Sequence, residues 1–264
     1  MIPRAHIIHW QAEAPWANDA QIEQDLILSR AIVELFRDPP NKPLFAFRGG
    51  TALHKIHLAP ASRYSEDIDL VQIDAGPAKD LFRFIRGRLD PWLGEPKRLT
   101  KRNGIQLLYY FETTILPVRR MRVKVEVNTR EHFSVLGFQQ MPFSVESPWF
   151  QGQADVTTYA LDELLGTKLR ALYQRKKGRD LFDLWDALKR GNVSPLEVVR
   201  CFTAYLDSQC LRVSQREFVE NLKSKLEDPG FISDTGPILR QGLLYDCRRA
   251  NEVVEEALIA RLRH

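Results

Sequence analysis

The sequence predicts an α+β fold, with a small mixed sheet flanked by helices followed by an all-helical C-terminal part. Short apolar runs with period-two alternation, typical of strands, fall within the first 150 residues. Beyond about residue 155 the apolar residues recur at helical spacing instead. The polar stretch SPWFQGQAD at 147–155 separates the two patterns. We therefore predict one domain at residues 1–150 and a helical domain at residues 151–264.

The first domain is predicted to alternate helices and strands. Apolar residues at helical spacing predict a helix over 20–37, and LFAF at 44–47 predicts a strand that stops at Gly49 and Gly50. A helix then begins at Thr51. Further along, DIDLVQI is a predicted strand, KDLFRFIRGRL a helix, and GIQLLYYFE and MRVKVEVN two strands that pair antiparallel.

The second domain is predicted to consist of helices. The candidates lie near 161–176, 180–190, 194–208, 214–227 and 236–262. We expect this domain to pack against the first and to complete its active-site cleft.

Composition limits the classes of protein to which the chain can belong. Its 264 residues are 44% apolar and carry a net charge of +4 with a pI near 9.0, which suits a polyanionic partner but is also common among enzymes. The three cysteines show no paired spacing, so we expect neither a disulfide framework nor a zinc site. No apolar run approaches the roughly 18 residues of a membrane span, so we expect a cytoplasmic protein without membrane contact.

Two aspartates project from one predicted strand. Side chains alternate along a strand, so Asp67 and Asp69 lie on the same face. Two carboxylates aimed together repel each other and lose solvation, so such a pair is either open to water or neutralised by a cation. Mg²⁺, or Mn²⁺ in its place, is the natural candidate because carboxylates and substrate phosphates are its usual ligands. The alternative is a solvated strand end, since Asp-x-Asp is common by chance.

A glycine turn lies shortly before these aspartates in the sequence. Gly49 and Gly50 separate a predicted strand from the helix that begins at Thr51. Glycine permits close approach to the backbone, and a helix N-terminus presents free N–H groups, so this turn is a candidate phosphate site. A plain turn is the alternative. The proximity of the turn to the aspartates favours a shared triphosphate.

Glu126 is the candidate third carboxylate. It lies on the polar face of a predicted strand whose opposite face is valine. A second metal ion would require such a ligand. The alternative is a salt bridge across the strands to one of three arginines, Arg119, Arg120 or Arg122.

Lys168 occupies an unexpected position within the predicted helix near 161–176. At helical spacing it falls in the middle of a leucine stripe, where lysine is rare without a partner. Either its ammonium reaches the surface or it meets an anion, and Arg175 near the same face favours the anion. Asp180 borders the next apolar stripe, where it either caps the helix or orients Lys168. Asp183 and Asp186 are predicted to point away from the core.

A basic run joins these two helices. It comprises Arg175, Lys176, Lys177 and Arg179. Such a run either contacts RNA at the rim of the cleft or forms a solvated surface.

Four segments taken in order resemble a known family. FRGGTAL at 47–53 and RYSEDIDL at 63–70 are similar to the first motif of AbiEii/AbiGii-type toxins, which are nucleotidyltransferase-like proteins of bacterial toxin–antitoxin and abortive-infection systems. LGTKLRAL at 165–172 and RDLFDL at 179–184 resemble the later lysine and aspartate motifs of that family. The resemblance spans most of the chain.

The resemblance implies a polymerase-β-like nucleotidyltransferase core, Mg²⁺, a nucleoside triphosphate donor and a tRNA acceptor. It also implies roles for individual residues. By this resemblance Gly49, Gly50, Thr51 and Ser65 hold phosphates, Asp67 and Asp69 bind metal, Lys168 contacts the triphosphate, and Asp180 is its essential partner. Glu126 stands where polymerase-β-like enzymes usually have aspartate.

We therefore expect a toxin that transfers a nucleoside monophosphate to an RNA end, most simply the 3′ end of tRNA, until a cognate antitoxin intervenes. Two alternatives stay open at this point. One is a catalytically inactive module that binds nucleotide or RNA. The other is a glycosyltransferase in which Asp-x-Asp holds a metal and a sugar nucleotide, although the βαβ repeats typical of that class are missing before Asp67.

Overall fold

The computed structural model describes residues 2–40, 42–101 and 104–263, and it has the predicted α+β architecture. Its α-helices are α1 Arg4–Trp10, α2 Asp19–Phe36, α3 Gly49–Ala52, α4 Lys79–Leu93, α5 Leu161–Gln174, α6 Gly178–Arg190, α7 Pro195–Asp207, α8 Gln215–Leu226, α9 Pro229–Ser233 and α10 Cys247–Ala257. Its strands are β1 Phe45–Arg48, β2 Asp67–Gln72, β3 Lys97–Lys101, β4 Gly104–Glu112, β5 Arg120–Asn128, β6 Phe138–Glu146 and β7 Gln151–Tyr159.

The seven strands form one mixed sheet in the order β3-β4-β5-β2-β1-β7-β6. The predicted antiparallel pair is present as β4 and β5. Strand β2 lies parallel to β5 and antiparallel to β1, and this register places Asp69 between Glu126 and Arg48. The central strands therefore bring the charged residues of three separate segments to one place.

Helix α2 covers this sheet and begins where the sequence predicts. The side chain of Asn18 caps it by accepting a hydrogen bond from the Ala20 N–H at 2.9 Å. Apolar residues such as Leu26 and Leu28 are fully buried. The helix also buries polar groups, and Asp25 is paired with Lys55 at 2.8 Å and accepts hydrogen bonds from two indole N–H groups.

The chain divides into two compact units, and the division differs from the predicted one. The sheet unit comprises Met1–Ser134 and Phe138–Tyr159, and the helical unit comprises Val135–Gly137 and Ala160–His264. The predicted boundary between residues 150 and 151 falls inside the hairpin of β6 and β7. Alternation was not recognised there because polar residues in both strands interrupt the apolar pattern.

The helical unit matches the first four helix predictions closely. The fifth, near 236–262, is only partly correct, because α-helix occupies Cys247–Ala257 and a short 3₁₀ turn occupies Gly236–Ile238. Pro237 and Gly242, which has a φ of +79°, interrupt a continuous helix. Within the described residues, no helix is both long and apolar enough to cross a membrane.

Candidate active site

An acidic cluster lies on one face of the sheet and consists of Asp67, Asp69 and Glu126. Asp67 and Asp69 alternate with buried Ile68 along β2, as the period-two pattern predicts. Glu126 on β5 lies directly beside Asp69 in the parallel register. The three carboxylates, predicted separately, are therefore neighbours.

Lys124 neutralises part of the acidic cluster. Its Nζ lies 2.8 Å from Oδ2 of Asp67 and 3.3 Å from Oε2 of Glu126. Gln106 on β4 donates a hydrogen bond of 2.7 Å to the same Glu126 oxygen. The suggested salt bridge from Glu126 to Arg119, Arg120 or Arg122 does not form among the described residues, because Lys124 on the same strand face is the cationic partner.

Asp69 is the least compensated member of the cluster. Burial, reinforced by the charges of Asp67 and Glu126, raises the pKa of Asp69 to about 6. Burial also raises the pKa of Asp67, although Lys124 opposes the change. Among the described residues the Asp69 side chain has no hydrogen bond or ion pair, whereas the side chains of Asp67 and Glu126 do. A bound cation would stabilise a half-buried carboxylate of this kind beyond the partial compensation from Lys124 and Arg48.

The glycine turn packs directly against Asp69. Gly49 has a φ of +82°, and a Cβ atom at this position would lie 2.1 Å from Oδ2 of Asp69. A Cβ atom on Gly50 would lie 2.4 Å from the guanidinium of Arg63. Both glycines are therefore required by close approach, one to a carboxylate and the other to an arginine. The turn and the acidic cluster form a single site.

Thr51 and Ser65 connect this turn to strand β2. The Thr51 side chain is fully buried, and its hydroxyl donates a hydrogen bond to the Asp67 carbonyl. Its oxygen lies 2.8 Å from Oγ of Ser65. The Thr51 hydroxyl is therefore buried and already hydrogen-bonded within the protein. A phosphate bound at this turn would contact backbone N–H groups instead of that hydroxyl. The helix itself begins at Gly49, two residues before the predicted start, and continues as a π-helix over Leu53–His57.

The donor atoms of the cluster suit a divalent cation chemically. Carboxylate oxygens are the ligands preferred by Mg²⁺ and Mn²⁺, and the partly desolvated Asp69 carboxylate has no ion-pair partner among the residues that the structure describes. Within residues 2–40, 42–101 and 104–263, no group of three or more His, Cys, Asp or Glu side chains is already arranged around a common ion position. The ammonium of Lys124 occupies the space between two of the three carboxylates.

Two supporting contacts were not identified from the sequence. Arg48, the β1 residue opposite Asp69, pairs with Glu131 at 2.6 Å. Glu131 lies beyond the end of β5, where no periodic pattern indicates its orientation. The contact between Lys124 and the cluster was recognisable in principle, since the period of two places Lys124 and Glu126 on one face.

The helical unit contains a separate buried ion cluster around Lys168. The Lys168 Nζ lies 2.8 Å from Asp183 and 3.3 Å from Asp180. Arg175 donates two hydrogen bonds to Asp180, of 2.6 and 2.7 Å. Burial opposes ionisation of Asp180, but Lys168 and Arg175 outweigh it and lower its pKa. The buried lysine indicated by the leucine stripe is therefore paired with two aspartates.

The predicted orientation of Asp183 and Asp186 was wrong. Asp183 is fully buried against Lys168, and Asp186 is 3% exposed and lies 3.1 Å from Arg190. The apolar stripe of α6 does not include its buried aspartates. Since α6 carries buried charge partners beside its leucines, its buried face is wider than its apolar stripe.

The basic run between α5 and α6 is largely neutralised within the helical unit. Arg175 is held by Asp180, and Lys176 pairs with Asp228. The remaining two cations, Lys177 and Arg179, lie 3.8 and 3.7 Å from Asp234. This pairing weakens the prediction that the run is a free RNA-contacting surface.

A glycine turn beside an acidic cluster on a mixed sheet fits the nucleotidyl transferase class of protein. Comparison with known proteins shows the family. A family model described as the nucleotidyl transferase AbiEii toxin of type IV toxin–antitoxin systems matches residues 30–251, so the chain belongs to this family. The resemblance seen in the sequence motifs is thereby confirmed. No match was found among curated proteins.

Solved structures show the same fold. The chain is similar to MenT4, a nucleotidyltransferase toxin of Mycobacterium tuberculosis, with 17% identity and a TM-score of 0.60 over 100% of both chains. It is also similar to JHP933 from Helicobacter pylori, with 15% identity and a TM-score of 0.52 over 92% of this chain and 91% of that chain.

Proposed function

We propose that this toxin-family protein transfers a nucleoside monophosphate from a nucleoside triphosphate to an RNA acceptor, with the 3′ end of tRNA as the expected acceptor. The reaction depends on Mg²⁺ or Mn²⁺, takes place in the cytoplasm and is restrained by a cognate antitoxin. The observation that carries the proposal is Asp69, the least compensated carboxylate of the cluster, which lies beside Asp67, Glu126 and the glycine turn. A negatively charged polyphosphate with its bound divalent ions fits both the acidic cluster and the glycine turn.

In this proposal Asp67, Asp69 and Glu126 would hold the divalent ions. A bound ion would supply positive charge to offset that of the donor triphosphate. The backbone at Gly49 and Gly50 would receive a phosphate, with Arg63 behind it and Ser65 at its edge. The narrow clearance between Gly49 and Asp69 fixes the distance from phosphate to carboxylate.

The chemical step is an in-line displacement. The terminal hydroxyl oxygen of the RNA forms a bond to the α-phosphorus while the bond from that phosphorus to the bridging oxygen breaks, so that pyrophosphate leaves. A carboxylate oxygen of the acidic cluster accepts the hydroxyl proton. For the helical unit we propose that Lys168 contacts the triphosphate and that Asp180 acts as a positioning residue for its ammonium, which is supported by their 3.3 Å contact.

The proposal is tested by incubating purified protein and MgCl₂ with total RNA and each α-³²P-labelled triphosphate in turn. Label should enter RNA with one or more donors, and EDTA or the double variant Asp67→Asn/Asp69→Asn should abolish incorporation. Expression of the wild type, but not of the double variant, should arrest bacterial growth. Undiminished incorporation by the double variant would overturn the proposal.

The two alternatives predict different outcomes. A binding module without catalysis would retain RNA in the same experiment but incorporate no label with any donor. A glycosyltransferase would hydrolyse a sugar nucleotide or transfer its sugar. The fold and the family, however, are those of nucleotidyltransferases.

A further inference from the structure

A groove of about 430 Å³ lies on the sheet unit beside the acidic cluster. We call its cationic and aromatic part the basic shelf, which consists of Lys97, Tyr110, Arg120 and Arg122. Glu66, the residue before Asp67, also lines the groove. The groove therefore reaches the residue next to the acidic cluster, and its lining carries three cations and one carboxylate.

The strand register places the basic shelf and the acidic cluster on one face of the sheet. Along β5, Arg120, Arg122, Lys124 and Glu126 alternate with the partly exposed Met121 and with buried valines. At about 3.4 Å per residue, Arg122 lies about 7 Å and Arg120 about 14 Å from Lys124 along the strand. Tyr110 on β4 lies directly opposite Arg122. The cations of β5 therefore form a row along one face of the strand, and the row ends at the acidic cluster.

The cations of the basic shelf are available to a ligand. Lys97 and Arg122 are exposed, and within the described part of the chain neither has an ion pair. The Arg120 guanidinium lies over the Tyr110 ring at 4.4 Å, so that a flat cationic surface sits on an aromatic one. The basic run between α5 and α6 offers no comparable set, because its charges are paired with aspartates.

The floor of the groove is fixed by hydrogen bonds from buried residues. Gln24 on α2 donates to the Arg122 carbonyl at 2.7 Å and accepts from the Tyr64 hydroxyl at 2.6 Å. Gln24 and Tyr64 are both buried. These contacts hold the backbone of the basic shelf in place before any ligand binds, which lowers the entropic cost of binding.

We infer that the basic shelf binds the single-stranded end of the acceptor RNA. Backbone phosphates lie against Arg122 and Lys97, and a base stacks on the Tyr110–Arg120 pair. Aromatic and guanidinium planes combined with unpaired cations are the chemistry that recognises single-stranded nucleic acid. The inference rests on the proposed function, because the transfer proposed for the neighbouring acidic cluster uses the terminal hydroxyl of the RNA.

Binding is measured separately from catalysis. The full chain is titrated against a short fluorescein-labelled single-stranded RNA in EDTA without triphosphate, and fluorescence anisotropy is recorded at several salt concentrations. Arg122→Ala and Lys97→Ala should each weaken binding and reduce the slope of log K against log salt by about 0.7, the value for one phosphate contact on a single strand. Arg83→Ala is the matched control, because Arg83 is exposed on α4, lies outside the groove and forms a surface pair with Asp80.

Stacking is tested with a pair of substitutions. Tyr110→Ala should weaken binding about fivefold or more, as expected for the loss of one stacked base. Tyr110→Phe keeps the ring and should retain the affinity of the wild type. If Tyr110→Phe weakens binding as much as Tyr110→Ala, or if none of the shelf variants differs from Arg83→Ala, the inference is wrong.

The transfer assay separates this inference from the proposed function. Arg122→Ala should raise the KM for RNA and leave the KM for the triphosphate unchanged. Incorporation with an unchanged KM for RNA, or with a raised KM only for the triphosphate, would overturn the shelf and leave the proposed function intact. Shelf-dependent RNA binding without incorporation by the wild type would support the shelf and overturn the proposed function. If the shelf variants lost binding to the antitoxin but kept the RNA affinity of the wild type, the shelf would be a protein interface and the inference would be wrong.

Discussion

Replacing Asp69 with asparagine should stabilise the protein while abolishing its activity. Burial and the neighbouring carboxylates raise the pKa of Asp69 from 3.8 to about 6. At 1.36 kcal/mol for each pKa unit, the cost of keeping it ionised is about 3 kcal/mol. Because the side chain is only half-buried, solvent screening reduces the expected gain to about 1–2 kcal/mol. Asparagine removes the charge at nearly constant volume.

The free energy of unfolding gives the direct measurement. Urea denaturation at pH 7.5 should show Asp69→Asn more stable than the wild type, and the difference should shrink towards pH 4. The folded protein binds a proton on Asp69 between pH 4 and pH 6 that the unfolded chain releases. The contribution of this group to stability therefore falls as pH rises through that range and is constant above it.

Two further measurements complete this test. Added MgCl₂ should stabilise the wild type more than the variant, because ligand binding to the folded state alone raises its stability. Asp74→Asn provides the control, since Asp74 is 60% exposed in a surface pair with Lys42 and its loss should change stability by less than about 0.5 kcal/mol. Destabilisation by Asp69→Asn at pH 7.5 would refute the charge argument.

Three other substitutions should have distinct effects. Gly49→Ala should abolish nucleotide transfer and destabilise the sheet unit by about 1–3 kcal/mol. The reason is that alanine would combine a left-handed φ with a clash against Asp69. Incorporation assays measure the first effect, and urea denaturation measures the second. Lys168→Met should cost about 3–5 kcal/mol because it removes the ammonium that pairs with the buried Asp180 and Asp183, and the loss should be seen as a lower urea midpoint. Glu126→Gln should keep its hydrogen bond with Gln106 by amide rotation and weaken Mg²⁺ binding, which the transfer assay measures as a raised half-saturating MgCl₂ concentration.

Each of these substitutions has its own contradicting outcome. Wild-type transfer by Gly49→Ala would show that the close approach to Asp69 is not required. An unchanged urea midpoint for Lys168→Met would show that the pairs contribute nothing, and Lys223→Met, at an exposed position of α8, is its control. An unchanged MgCl₂ dependence for Glu126→Gln would exclude this residue from the ion site.

The parts of the site that sequence predicts well are those carried by strong periodicity. Strand β2 places two carboxylates on one face because Ile68 and Leu70 are buried on the other, and β5 does the same with three valines. Such patterns fix which way a side chain points even when its partners are unknown. Lys168 stood out for a related reason, because a charge within an apolar stripe must have a partner.

Partner identity was the information that the sequence lacked. The pairing of Lys124 with Asp67 depends on β2 lying parallel to β5, which is a contact between segments distant in the chain. Strands β3, β6 and β7 were missed because much of their surface is polar or exposed, so alternation is weak. The buried Asp183 was missed because its burial depends on a lysine from another helix.

Lys124 has a consequence for the order of events in the life of the protein. The Lys124 ammonium contacts two of the three acidic side chains and partly neutralises them. The chain can therefore fold before any metal ion binds there. In the proposed reaction, a divalent ion bound by the same carboxylates would have to displace that ammonium. Folding and ion binding would then be separate steps, and the folded protein would be inactive until the ion binds.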